Sequence, residues 1–198
     1  MRTVFARTCD MAANTTGQRR LSREKIVTAT RELADNGGLP AVTLRAVAAA
    51  LGTSQASLYR HIADRDQLLD LLADDLAAGF PLVSREPVTV DVVAAQWRGM
   101  HDHLTPHQWA APLLVAGTHL ARGAEHITRH AIQQLERTGL APEAATRTYR
   151  ALCLLLLGHL LNSHPFGHGH EVVTDADDDP ATFEWALRCL LPGALANE

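Results

Sequence analysis

The spacing of three residues near the start of the chain constrains its fold most: Ala48, Gly52 and Leu58. Two short helices that cross steeply need a small side chain where their backbones approach, and Ala48 supplies it. The turn between them needs a residue at ease with positive φ, which Gly52 supplies. Leu58 then anchors the second helix on the first. This spacing predicts a helix-turn-helix within residues 43–62.

The remainder of the chain is also predicted to be helical. The sequence contains 29 leucines and 32 alanines against 12 valines and four isoleucines, a balance that favours helices over strands. Hydrophobic residues make up 46% of the chain, enough for a substantial core. Capping residues, apolar spacing and Gly or Pro stops indicate nine helices in an all-α fold. Their expected ranges are Ser22 to Asn36, Thr43 to Gly52, a short helix bearing Leu58 and Ile62, Asp64 to Gly79, Val90–Leu104, Gln108–Val115, Thr118–Thr138, Pro142–Ser163 and Pro180–Leu191.

Charge divides unevenly along the sequence. Residues 1–62 contain nine Lys or Arg and four Asp or Glu, for a net +5, whereas residues 63–198 carry −9. A basic front on an acidic body indicates a small anion-binding module joined to a second unit.

The outer face of the second short helix carries side chains suited to a DNA major groove. Gln55 can pair with an adenine edge and Arg60 with guanine, while Ala56 can touch a thymine methyl. Ser57 and Tyr59 can donate to phosphate. A solvated polar surface would have the same composition.

Basic residues also gather before or within the first turn of helix one. They are Arg19, Arg20, Arg23 and Lys25. The helix macrodipole disfavours cations at this end, so phosphate contact explains them better than helix stability does.

Residues 43–62, TLRAVAAALGTSQASLYRHI, followed by Asp64-Arg65-Asp66-Gln67-Leu68-Leu69, resemble the DNA-binding domain of the TetR family of transcriptional repressors. The similarity covers about residues 20–76. It implies DNA contacts at Arg45, Gln55, Ala56, Ser57 and Tyr59, and a phosphate contact at Arg65. Thr53, Ala56 and Ile62 depart from the commoner residues of the family, so the operator sequence stays open.

The resemblance also implies a domain organisation. We expect a flexible arm over residues 1–20, the helix-turn-helix domain over 21–66, and a helical-bundle domain for ligand binding and dimerisation over 67–198. The turn-rich stretch Pro81–Pro87 marks a break, with the fourth helix shared by both halves.

Two C-terminal helices are predicted to form a homodimer interface. Pro142–Ser163 carries leucines around nearly its whole circumference, so it must be covered on all sides. Pro180–Leu191 can lie beside it, and the resemblance implies a four-helix interface between two chains. The alternative is that Pro142–Ser163 is the central helix of a monomeric bundle.

The middle helices carry side chains suited to a small-molecule pocket, with aromatic and apolar walls and a few polar groups. The candidates are Trp97, Met100, His101, Leu104, Trp109, Leu113 and His119. Each of them alone could equally be ordinary core.

Eleven histidines raise the question of metal. The segment containing His164, His168 and His170 could bind metal loosely, which leaves a metal-sensing regulator and a histidine-dependent metal hydrolase as alternatives. His126 and His130 stand four apart but lack the Glu of a zincin motif. No phosphate-binding loop or nucleophile elbow is present in the sequence, so we expect neither a cofactor nor a catalytic site.

The remaining signals concern the compartment. Cys9, Cys153 and Cys189 are far apart and form no disulfide pattern. No apolar run is long enough to span a bilayer. We therefore expect a soluble cytoplasmic protein, with Met1 or Met11 as its start. Its predicted function is that of a ligand-responsive repressor that binds a palindromic DNA operator as a homodimer.

Overall fold

Helices are the regular secondary structure of the described part of the chain. The computed structural model describes residues 21–117, 123–161 and 180–196, and these contain nine helices and no strand. The all-α prediction is confirmed. The expected flexible arm, residues 1–20, lies outside the described residues.

Three helices form the N-terminal unit: α1 (Arg23–Ala41), α2 (Leu44–Ala50) and α3 (Gln55–Leu58). The hydroxyl of Ser22 caps α1, as expected. The predicted end after Asn36 is instead a break within α1 at Gly38, which adopts φ 67° and ψ −174° before the chain resumes one helical turn through Pro40.

Helix α4 (Arg65–Ala78) connects this unit to the body. One side of it packs on α1, where Arg31 pairs with Asp75 at 2.8 Å and Arg23 with Asp74 at 3.4 Å. Its other side contacts α6 and α7. The buried face holds Leu68, Leu72 and Leu76 among others, so one helix contributes to the core of both halves.

The body contains α5 (Val90–Leu104), α6 (Ala110–Ala116), α7 (Ala124–Arg137), α8 (Pro142–Leu161) and α9 (Pro180–Ala196). Helices α7, α8, α9 and α5 pack against one another in a bundle. Among the described helices, none has both the length and the apolar character that a membrane crossing requires.

The predicted start of α6 was wrong: the helix begins at Ala110 rather than Gln108, because the Ala110 N–H closes a turn onto the His107 carbonyl at 2.8 Å. The predicted start of the next helix, Thr118, lies outside the described residues, within which α7 begins at Ala124 after the Gly123 N-cap.

The predicted end of α9 was also wrong, because the helix continues through Pro192 to Ala196 instead of ending at Leu191. Leu195 beyond the proline packs on the core beside Leu140, which offsets the hydrogen bond that Pro192 cannot donate.

The predicted break at Pro81–Pro87 is an extended connection between α4 and α5. The buried side chain of Gln96 holds it, since its amide donates to the Pro81 carbonyl at 2.6 Å and accepts from the Val83 N–H at 2.7 Å. The Gln134 amide also donates to the Val83 carbonyl, at 2.6 Å. These bonds replace the backbone partners that a non-helical segment lacks.

Candidate nucleic-acid interface and ligand cavity

The turn between α2 and α3 has the geometry expected from the Ala48, Gly52 and Leu58 spacing. Gly52 adopts φ 62°, and the next N–H, that of Thr53, donates to the Ala48 carbonyl at 2.9 Å. Ala48 is 3% exposed and Leu58 is fully buried. The helix-turn-helix prediction is confirmed.

Side-chain caps fix where each helix of this unit begins. Thr43 accepts from the Ala46 N–H at 3.1 Å and Ser54 from the Ser57 N–H at 3.1 Å. Asp64 accepts from the Gln67 N–H at 2.8 Å. Because each cap satisfies an N–H that its own helix cannot, the orientation of the short α3 is set by sequence as well as by packing.

The outward face of α3 is polar and exposed. Gln55 and Ala56 are exposed, and the Tyr59 side chain, one residue beyond the helix, is 54% exposed. Arg60 is exposed and donates to the Ser57 hydroxyl at 2.8 Å. An exposed aromatic ring flanked by an amide, a hydroxyl and a guanidinium offers both hydrogen bonds and an apolar surface to a partner.

Two of the predicted cations outside α3 are exposed: Arg45 on α2 and Lys25 in the first turn of α1. Arg65 already has partners, because its guanidinium donates to the Val42 carbonyl at 2.9 Å and to the Leu39 carbonyl at 2.8 Å. These bonds hold the start of α4 against the connection between α1 and α2. Sequence reasoning did not anticipate this bracing role.

A cavity of about 180 Å³ lies between α4, α5, α6, α7 and α8. The walls formed by the described residues are almost wholly apolar, and no side chain among them carries a charge. The lining residues are Ala73, Leu76, Ala77, Phe80, Trp97, Met100, Leu104, Leu114, Ala124, Ile127, Thr128, Tyr149, Cys153, Leu156 and Leu157.

Four lining side chains carry polar atoms. The hydroxyls of Thr128 and Tyr149 hydrogen-bond to each other at 3.0 Å. Burial raises the pKa of Tyr149 to about 12, and it also raises the pKa of the neighbouring Cys153 thiol. The fourth atom is the indole Nε1 of Trp97, which has no acceptor among the described residues.

The structure brings three of the predicted pocket residues to this cavity: Trp97, Met100 and Leu104. Leu113 is 1% exposed in the core, while its neighbour Leu114 lines the cavity. His119 lies outside the described residues.

Two other pocket candidates lie elsewhere. His101 stacks on Phe183 with ring centroids 4.7 Å apart, between α5 and α9. Trp109 is buried and donates from Nε1 to Asp35 at 2.6 Å. Helical phase turns His101 of α5 toward α9, whereas Trp109 lies just before α6 and its indole is directed to Asp35 on α1.

One group of side chains between the two units was missed by sequence reasoning. A single carboxylate oxygen of Asp35, on α1, accepts from both Trp109 Nε1 and His107 Nδ1, the latter at 2.7 Å. His103, four residues before His107, donates to the Leu76 carbonyl of α4 at 3.0 Å. Partners 72 and 74 residues apart leave no local pattern, so no sequence signal identified this junction.

Several histidines of the described residues act as hydrogen-bonding or packing groups. His130 donates to the Val83 carbonyl at 3.1 Å. Within residues 21–117, 123–161 and 180–196, no group of three or more His, Cys, Asp or Glu is placed to hold a metal ion. His164, His168 and His170 lie outside the described residues.

The capped turn and the exposed face of α3 define an all-helical protein of the helix-turn-helix class. Comparisons with known proteins agree: residues 26–72 match the model for bacterial regulatory proteins of the tetR family. The HTH-type transcriptional repressor DrrR1 of Streptomyces coeruleorubidus is 43% identical over 54 residues, which are 27% of this chain and 20% of that repressor.

The fold extends further than the sequence similarity. The Streptomyces coelicolor TetR family protein ActR in complex with actinorhodin superposes with a TM-score of 0.75, covering 90% of this chain and 97% of that one at 22% identity. BioQ with its double-stranded DNA operator gives a TM-score of 0.72, covering 89% and 99% at 19% identity.

The sequence match to the TetR family of bacterial regulatory proteins covers residues 26–72, and beyond it the chain shares the fold of the two neighbouring structures. Its sequence similarity to the curated relatives is confined to part of them, since it spans 20% to 40% of their length.

Proposed function

We propose that this chain is a ligand-responsive transcriptional repressor that binds a palindromic DNA operator as a homodimer and is released by a small-molecule effector. The observation that carries the proposal is the exposed polar face of α3, centred on Tyr59 and positioned by the Gly52 turn. BioQ binds a DNA operator and ActR binds actinorhodin, and these neighbours support the proposal that this chain binds both DNA and a small molecule.

On DNA, α3 would enter the major groove with its outer face toward the base edges. Base contacts give sequence choice and phosphate contacts give affinity and salt dependence. The proposed contacts are Lys25, Arg45, Gln55, Ala56, Ser57, Tyr59, Arg60 and Arg65, the last through guanidinium N–H groups that its two carbonyl bonds leave available.

One short helix reads too few base pairs for a specific site, so the repressor must act as a dimer. Helices α8 and α9 carry the apolar surface for it, because Leu154 is 75% exposed, Trp185 67% and Leu161 47%. We propose that Pro142–Ser163 and Pro180–Leu191 of two chains pack as a four-helix interface. The two copies of α3 would then reach major grooves about 34 Å apart.

The proposed division of labour places DNA reading in residues 21–66 and effector binding and dimerisation in 67–198. Helix α4 lines the cavity and also packs on α1. A molecule in the cavity can therefore change the orientation of residues 21–66 relative to residues 67–198. An effector releases DNA only to the extent that it binds the released state more tightly. Such a repressor acts on DNA in the cytoplasm.

Selection of bound duplexes from a random library, followed by a binding assay, tests the proposal. The wild-type chain should enrich a two-fold symmetric sequence. Tyr59→Ala should lose at least tenfold in affinity for it while remaining dimeric, because the substitution removes a surface contact. The control Leu82→Ala, at a side chain 43% exposed in the body, should bind like wild type. Normal binding by folded Tyr59→Ala would refute the assignment of α3 as the reading helix.

A further inference from the structure

We infer that the effector is an uncharged, largely apolar ring compound whose hydrogen-bond acceptor, such as a ketone oxygen, accepts from the indole N–H of Trp97. The inference rests on the proposed function, in which the cavity between α4 and α8 holds the effector.

The first support is the state of Trp97 itself. Its side chain is 1% exposed and lines the cavity, and Nε1 has no acceptor among the described residues. An indole N–H is a donor only, and a buried donor normally has a partner. An acceptor supplied by a bound molecule would complete the hydrogen bond that the described residues leave unmade.

The second support is that the other polar groups of the wall are engaged or weak. The hydroxyls of Thr128 and Tyr149 share a hydrogen bond at 3.0 Å, so each of the two oxygens has a partner. Cys153 adds only a thiol, which is a weak donor. Among the described lining residues, the Trp97 indole nitrogen is therefore the buried nitrogen or oxygen atom that has no hydrogen-bond partner.

The third support is that the lining residues, among those that the structure describes, carry no charge. A charged ligand would lose its hydration without gaining a counter-ion, which is strongly unfavourable in an apolar site. The rings of Trp97 and Tyr149, with centroids 5.9 Å apart and tilted by 56°, offer flat apolar surfaces. A cavity of about 180 Å³ then suits a compact one- or two-ring compound.

Matched probes test the inference by calorimetry on the purified full chain. The probes are 1-tetralone, which has one ketone oxygen, and tetralin, the same bicycle without it. The ratio of the tetralin to the tetralone dissociation constant should fall about five- to tenfold on going from wild type to Trp97→Phe, because only tetralone can use the indole N–H. Comparing ratios cancels the different hydration of the two probes. The anion 1-naphthoate should bind wild type at least tenfold more weakly than 1-tetralone.

Trp185→Phe is the matched control, since Trp185 is exposed on α9 and does not line the cavity; its ratio of dissociation constants should equal that of wild type.

Should Trp97→Phe fail to fold, the three indole N–H signals of ¹⁵N-labelled wild type provide a second measurement, assigned with Trp109→Phe and Trp185→Phe. The Trp97 signal should move downfield with 1-tetralone and not with tetralin.

An unchanged ratio, an unmoved Trp97 signal with 1-tetralone bound, or naphthoate binding as tight as that of 1-tetralone would overturn the inference and leave the repressor proposal standing. Absence of binding by both neutral probes would also overturn it. The repressor proposal itself fails separately, if no symmetric operator is enriched or Tyr59→Ala still binds it.

Discussion

At the scale of single residues, Gly52 illustrates how one backbone angle positions a whole surface. Its φ of 62° lets α2 end and α3 leave in a new direction. A Cβ built there would meet no atom within 4 Å, so the requirement for glycine is one of backbone conformation rather than of space.

We expect Gly52→Ala to lower the free energy of unfolding by about 1–2 kcal/mol, because an alanine at positive φ brings its Cβ close to a backbone carbonyl. Gly52→Asn is the matched variant, and it should lose less, since asparagine tolerates the left-handed region. Urea unfolding measures both. Equal stability of Gly52→Ala and wild type would contradict the turn as described.

Glu184 on α9 gives stability a specific pH dependence. Its carboxylate accepts from Arg98 Nη1 through both oxygens at 2.6 Å, and from Arg188 at 2.9 Å. The Arg98 hydrogen bond holds the pKa of Glu184 below its ordinary value of 4.5. The folded state therefore takes up this proton less readily than the unfolded state, so the stabilisation is present above that value and is lost as the pH falls through the lowered pKa.

Glu184→Gln should thus be less stable than wild type at neutral pH, and the difference should shrink as the pH is lowered through the acidic range. Urea unfolding at a series of pH values measures this. Glu125→Gln, at a side chain 82% exposed beside Arg129, is the control and should change stability little at any pH. A constant difference for Glu184→Gln across the series would argue against the ion pair.

At the scale of elements, the junction of α1 with the connection between α5 and α6 depends on Asp35. One carboxylate oxygen accepts from His107 and from the buried Trp109. Removing it would leave an indole N–H buried without an acceptor, a loss that typically costs about 1–3 kcal/mol.

Asp35→Ala should accordingly lower the free energy of unfolding by about that amount, with the Trp109 fluorescence changing as the junction loosens. Asp102→Ala is the control, because the Asp102 carboxylate is 77% exposed and lies 3.3 Å from His101, so its loss should have little effect. Chemical denaturation followed by fluorescence compares the two. If Asp35→Ala is as stable as wild type, the junction does not hold the two units together.

The same elements indicate what sequence can and cannot predict. The caps at Ser22, Thr43 and Asp64 and the turn at Gly52 were predicted because each acts on residues within one helical turn. Asp35 was not, since its partners are remote in sequence.

The predictions that were wrong depended on helical phase and on tertiary packing, which a local sequence pattern does not determine. Trp97 and Trp109 are equally apolar, yet only Trp97 faces the cavity. The end of α9 was missed because burial of Leu195 overrides the local stop signal of Pro192.

At the scale of the whole molecule, the exposed apolar residues of α8 and α9 are the counterpart of the buried core. Leu152 and Leu156 of α8 are buried within the chain, whereas Leu154 between them is 75% exposed. Leucines on opposite sides of one helix indicate that a second surface covers it, as the proposed dimer requires.

Leu154→Glu should therefore shift the chain toward monomer, because two-fold symmetry places the buried charge in the interface twice. Light scattering across a concentration series measures the change, and operator affinity should fall with it. Val115→Glu, at a side chain 54% exposed on α6, should leave the mass unchanged. A dimer as tight as wild type in Leu154→Glu would place the interface elsewhere.

The uncharged wall of the cavity has a consequence for the cell. Compounds that lack charge and suit such a wall are the ones that diffuse through lipid bilayers without a carrier. A repressor that binds such compounds would respond to one that enters from outside as readily as to one synthesised in the cell, because neither needs a transporter to reach the protein.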